Sequence, residues 1–160
     1  MDKELLFDEF VIGDNKFPNQ LAQDLAINVG VLSEEFASHA ERFAWYATAY
    51  DIASAHEANL KEHVSRLYAI VDAETRTSAE MAGVKMTEKK VENTVITDER
   101  YQVAVNEYLE ARRNASLLKS ARDAMSHRRD MLIQMGATYR AEGASDISLR
   151  EQQYLREHKK

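Results

Sequence analysis

The sequence predicts an all-α protein: a long helical hairpin with short accessory helices, assembling into a homo-oligomer. Two observations carry that expectation. Glycine and proline are scarce, with five Gly and one Pro in 160 residues, and Pro18 is the sole proline; average usage would give about 12% for the two together. A β-sandwich or barrel needs turn signals roughly every 8–12 residues, and a doubly wound α/β fold needs Gly-rich strand-to-helix turns, so neither can be written with this inventory. Finally, apolar residues recur at the coiled-coil spacing along two long stretches.

The first element, residues 1–18, reads as an N-terminal arm. Leu5, Leu6, Phe7, Phe10, Val11 and Ile12 form an apolar cluster, closed by Gly13-Asp14-Asn15 and the Phe17-Pro18 break, which suits a short docking segment joined by a turn. From Asn19 the pattern becomes helical, with Gly30 as a weak spot and Ser33 as the expected N-cap of a long helix. Phe36, Ala40, Phe43, Ala47, Tyr50, Ala53, Glu57, Leu60, Val64, Leu67 and Val71 span 35 residues in ten steps of three or four. That is a coiled-coil seam with Glu57 as its one polar lapse.

The pattern decays through Glu74–Ser78 and breaks near Gly83. Thr87 reads as the N-cap of a short helix from Glu88 to about Ile96, and Thr97 as the cap of a second long helix, where Asp98 and Glu99 favour the positive helix start. Ala104, Tyr108, Ala111, Ala115, Leu118, Arg122, Met125, Arg129, Leu132 and Tyr139 continue the spacing, and the helix is expected to end at Gly136 or Gly143. Residues 19–143 are thus the helical hairpin domain and residues 144–160 a tail helix capped by Ser145. Two helices of about 40 residues would each run ~60 Å, beyond the diameter of a compact domain of this size. One stripe per helix leaves Trp45, Tyr46, Ile52, Tyr68, Ile70, Met131, Ile133 and Met135 on other faces, so self-association is the expectation.

The composition excludes several classes of chemistry. There is no cysteine, hence no disulfide, thiolate zinc site, iron–sulfur cluster or thiol catalysis. Neither a P-loop nor a Gly-x-Gly-x-x-Gly motif occurs. The serines lack the strained turns that hold a catalytic nucleophile. Helical-bundle metal sites need Glu-x-x-His pairs, and none of the five histidines has a Glu three residues before it. Glu35–His39 and Asp123–His127 are spaced by four and His56–His63 by seven, patterns that read as solvated helix faces. The chain is therefore expected not to be an enzyme and to need no cofactor or metal. An acidic start and the lack of about 18 consecutive apolar residues predict no signal peptide and no membrane partner, placing the protein in the cytoplasm.

Charge is unevenly spread. Residues 1–80 hold 6 basic and 15 acidic side chains, net −9, whereas residues 81–160 hold 15 and 12, net +3. Within 112–140 seven basic residues face two acidic ones. Arg112, Arg113, Lys119, Arg122, Arg128 and Arg129, with Tyr101, Tyr108 and Tyr139 at either end, read either as an ordinary solvated face or as a track for single-stranded nucleic acid, where guanidinium groups grip phosphates and tyrosines stack on unpaired bases. Alternatively, Arg122 and Arg129 pair with Glu57, Glu62 or Asp72 across the hairpin.

Ser65-Arg66-Leu67-Tyr68, then Val91-Glu92-Asn93-Thr94-Val95-Ile96-Thr97-Asp98, then Ala121-Arg122-Asp123-Ala124-Met125-Ser126-His127-Arg128 on a long helix resemble, in order and register, the UvsY-type recombination mediators of bacteriophages. The resemblance covers roughly residues 43–143. It implies a small helical protein of the bacterial host cytoplasm that forms rings and binds single-stranded DNA. It also implies a RecA-like recombinase as partner, loaded in place of the single-strand-binding protein. Of the family's Lys and Arg on the first long helix only Arg66 is matched, and the N-terminal arm departs from the family pattern. The expected DNA residues are therefore Arg66 and the six cations of the second helix, with Tyr68 and Tyr101 as stacking candidates. The alternative is a coiled-coil scaffold or adaptor that binds protein partners only, through Leu5–Ile12 and the apolar helix faces.

Overall fold

The computed structural model describes residues 9–12 and 15–157, with side chains at 9, 10, 16–143 and 154. Leu5, Leu6, Phe7 and the Gly13-Asp14 break lie outside the described residues. What is described of the arm is a two-stranded antiparallel ribbon, β1 (Glu9–Ile12) and β2 (Asn15–Pro18), in the register Glu9↔Pro18 to Ile12↔Asn15. Among the described residues the rest is helical apart from the short connections between helices. Phe10 is buried at 2% exposure, while Glu9 and Lys16 pair on the exposed side at 3.3 Å.

A short helix, α1 (Leu21–Leu25), has no side-chain cap and buries none of its residues. Asn28 then takes the capping role expected of Ser33: its side chain accepts from Gly30 N at 3.0 Å and starts a 3-10 turn, Val29–Val31, that leads into α2 (Leu32–Met81). α2 ends where the sequence breaks. Gly83 adopts φ 66°, and Val84 N donates to Ala79 O at 2.9 Å while Gly83 N donates to Glu80 O at 3.0 Å. This pair of bonds satisfies the last free carbonyls and needs a left-handed residue that glycine adopts without strain.

α3 (Glu88–Thr97) begins at Thr87, whose side chain accepts from Lys90 N. α4 (Glu99–Glu157) is capped by Asp98, one residue beyond the expected Thr97. The Asp98 carboxylate accepts from Arg100 N at 2.9 Å, whereas the Thr97 hydroxyl turns back to Asn93 O at 2.8 Å. α4 also passes through Gly136 and Gly143, where an end was expected. A glycine stops a helix only where the chain must turn left-handed, and neither does.

The chain forms two compact units, Met1–Asn19 with Ala47–Ser120 and Gln20–Tyr46 with Ala121–Lys160, and α2 and α4 each run through both. In the first unit α3 supplies Val91 and Val95, one turn apart, to a core that includes Val71, Ala104, Ala111, Ala115 and Leu118. Leu60, Val64 and Leu67 hold the expected inward positions but are only half-buried, as is Glu57. Arg76 ties α2 to α3 by reaching Glu88 at 2.6 Å while also holding Asp72 at 2.8 Å. Arg100 of α4 likewise bridges Glu74 of α2 at 2.6 Å and Asp98 at 3.1 Å. Hydrogen bonds from these arginines hold the Glu74, Glu88 and Asp98 carboxyls below the usual carboxylate range.

In the second unit α2 and α4 run antiparallel, with Phe36 beside Gly136 and His39 beside Arg128. Here the seam differs from expectation by one residue. Ala121, Met125, Arg128 and Leu132 are buried, and Arg122 and Arg129 fall outside. Steps of 3,4,3,4 and 4,3,4,3 share one average, so the period alone does not choose between them. The small Ala121 suits a close helix approach better than an arginine. On α2, Tyr46 is buried instead of exposed, and Tyr139 of α4, expected in the seam, is 67% exposed.

A Cβ at Gly136 would come within 3.2 Å of the Phe36 ring, whereas one at Gly143 meets nothing within 4 Å. Gly136→Val is therefore expected to destabilise by about 1–3 kcal/mol. Gly143→Ala should stabilise by about 0.5–1 kcal/mol through helix propensity. Urea denaturation of the two variants checks the contrast.

Candidate functional site

The cations singled out in the sequence sort into three environments. In the first unit, Ala111, Ala115 and Leu118 take the inward positions of α4, so Arg112, Arg113 and Lys119 point outward and are exposed. Arg112 and Lys119 are seven residues apart, two turns along one helix face. None of the three makes an ion pair among the described residues. Arg66 on α2 is 65% exposed and reaches Glu62 only at 3.9 Å. Tyr68 and Tyr101 meet edge to face with ring centroids 5.8 Å apart. Their ring edges are thus partly taken up by each other, and Tyr68 keeps the greater exposure.

Arg122 and Arg129 belong to the second unit. Each pairs with the aspartate that follows it, Arg122 with Asp123 at 2.9 Å and Arg129 with Asp130 at 2.8 Å. Such exposed pairs contribute about 0–1 kcal/mol and exchange readily for another anion.

Arg128 must be withdrawn from the DNA-binding set. Its side chain is 1% exposed and held from three sides: Nη1 lies 3.2 Å from His39 Nδ1, and Nη2 donates to Ala26 O at 3.1 Å and to the Glu35 carboxylate. A guanidinium without water around it cannot turn outward to a phosphate without leaving Glu35 behind. Glu35 in turn accepts from Asn28 N at 3.1 Å, the chief cause of a carboxyl held below its usual range, with Arg128 adding to it.

Around this centre Arg42 donates to Asp24 O at 3.3 Å and lies 3.6 Å from the Glu35 carboxylate. Tyr46 donates to Asp24 Oδ2 at 2.9 Å. Burial, and then that bond, push the Tyr46 hydroxyl above its ordinary value. Glu35–His39, dismissed as a metal pair from its spacing, is the clamp on Arg128. The sequence pattern marks neither Asp24 nor Arg42, and it puts Glu35, His39 and Tyr46 on outward faces. The available signal was the i,i+4 pair beside an arginine on the 3,4,3,4 seam.

Among the described residues no group of three or more His, Asp or Glu is placed to hold a metal ion. No helix among them is long and apolar enough to cross a membrane. Comparison with family models, with curated proteins and with solved structures gives no match.

Substituting Arg128 by Met leaves Glu35 without its closest partner, whereas Arg112 has none to lose. Arg112→Met is expected to move the melting temperature by at most about 2 °C, and Arg128→Met to lower it well beyond that. Differential scanning calorimetry of both variants reads the difference.

Proposed function

We propose that the protein is a non-catalytic, homo-oligomeric mediator that holds single-stranded DNA on the outward face of α4 and assists a RecA-like recombinase in replacing single-strand-binding protein. One observation carries the DNA half of this reading. Arg112, Arg113 and Lys119 stand exposed without an ion pair among the described residues, whereas Arg42, Arg66, Arg76, Arg100, Arg122, Arg128 and Arg129 each lie beside a carboxylate. Cations left free on a net-acidic protein offer phosphates a site that needs no pair broken first. Arg66 joins them on α2. Arg122 and Arg129 contribute where a phosphate displaces Asp123 or Asp130. Tyr68, 37% exposed, is the better stacking surface of the tyrosine pair.

The oligomer half rests on apolar side chains that remain on the surface. Trp45, Ile52, Ile70, Met131 and Ile133 are each 40–57% exposed. Copies of one basic helix in a closed assembly would multiply weak phosphate contacts into a strong, salt-sensitive site. The recombinase and the single-strand-binding protein enter through the resemblance to UvsY-type mediators. The same exposed apolar side chains favour a second reading, a coiled-coil scaffold that binds protein partners only.

Fluorescence anisotropy with a labelled oligothymidylate at two salt concentrations separates the readings. The wild type should bind with a steep salt dependence. Reversing Arg112, Arg113 and Lys119 together to Glu should flatten the slope of log K against log salt by about 2, at roughly 0.7 per single-strand phosphate contact. No binding by the wild type would leave the scaffold; binding with an unaltered slope in the triple variant would move the track elsewhere.

A further inference from the structure

The second unit contains a cluster that the nucleic-acid reading does not use. A guanidinium has five N–H donors and no acceptor. Its 3.2 Å contact from Arg128 Nη1 to His39 Nδ1 is a hydrogen bond only when Nδ1 carries a lone pair, as in a neutral His39 with its proton on Nε2. The ring sits among cations. Arg128 and Arg129 come from α4 and Arg42 from α2, while the carboxylates nearby are Glu35 on α2 and Asp24 on α1. Arg128 Nε is also buried without a partner among the described residues, so the cluster is satisfied only in part.

What the cluster holds is the segment Leu21–Val31. Neither α1 nor the 3-10 turn buries a residue. The attachments of this segment to α2 and α4 run instead through Ala26 O to Arg128, Asn28 N to Glu35, and Asp24 to Arg42 and Tyr46. Leu21, Leu25 and Ile27 are only half-buried, so a strap whose remaining fastenings are polar comes loose when the charge of its anchor changes.

We propose that His39, Arg128 and Glu35 form a proton-operated latch: a proton taken up at His39 Nδ1 breaks the bond from Arg128 and frees Leu21–Val31 from the paired long helices. No nucleic acid enters this step, and it stands independently of the DNA reading. Burial first, and then the Arg128, Arg129 and Arg42 charges, push the His39 pKa below its ordinary value. A histidine lowered in this way stabilises the closed form fully above its unfolded value of about 6.5, and that contribution fades as pH falls below it. Glu35, held below the usual carboxylate range, stays ionised through the upper part of this window, which isolates the histidine. Opening would bare the Arg42 and Arg128 guanidinium groups together.

The chain carries its own reporter. Its single tryptophan, Trp45, lies edge to face with Tyr46 at 4.7 Å, and Tyr46 holds the strap through Asp24. Titrating the full chain from about pH 7.5 to pH 5 should change Trp45 emission and speed amide exchange at Asn28 and Gly30, with a midpoint below the ordinary histidine value and helical circular dichroism preserved. His39→Gln should abolish the transition, and Arg129→Gln, which removes one facing cation from an exposed position, should shift its midpoint upward. Should His39→Gln not fold, nuclear magnetic resonance of the wild-type His39 ring gives the answer instead: its titration midpoint must coincide with the change in amide exchange. An unchanged wild type over this range, a transition retained in His39→Gln, or two midpoints that do not coincide would overturn the latch.

Discussion

A helix can bury only as wide a stripe as its partner covers, and every other feature of this chain is arranged around that limit. α2 and α4, of 50 and 59 residues, each turn one seam inward. Where α3 adds Val91 and Val95 as a third layer, Val71 and Ala104 are buried to 2%; where only two helices meet, Leu60, Val64 and Leu67 stay half-covered. The inward positions of α4 are dominated by small residues, Ala104, Ala111, Ala115, Ala121 and Gly136, which permit close backbone approach. Larger apolar side chains such as Ile52, Ile70, Met131 and Ile133 are left on the surface.

The same geometry sorts the cations. Because the alanines of α4 face inward, Arg112, Arg113 and Lys119 face out. Where the seam shifts by one residue, an arginine is carried in. Arg128 then requires a carboxylate, and Glu35 and Ala26 O supply acceptors at the cost of fastening a polar strap over the helix pair. One helix thus carries two kinds of arginine: outward ones open to a polyanion, and an inward one that makes the fold depend on the protonation of its neighbour His39.

Much of this is legible along the chain because it is local. Gly83 and Thr87 fall at the ends of α2 and α3 where left-handed geometry and capping oxygen require them, and the seam from Ala53 to Val71 lies where the spacing puts it. Two misplacements have the same origin. Thr97 and Asp98 are both good caps, and the choice between them rests on which oxygen reaches the first free amides of α4. The 3.5-residue period admits both Ala121 and Arg122, and packing decides. The ribbon of Glu9–Pro18 was hidden because four-residue strands leave too few alternations to read. The clasp on Arg128 joins residues 89, 93 and 102 positions apart, a separation no local pattern encodes.

The apolar flanks left by two-helix packing require cover from further copies of the chain. Multi-angle light scattering of the purified protein at micromolar concentration measures this directly. A mass that is a whole-number multiple of 18.3 kDa, stable on dilution, is the predicted result, and a stable species of 18.3 kDa would contradict it.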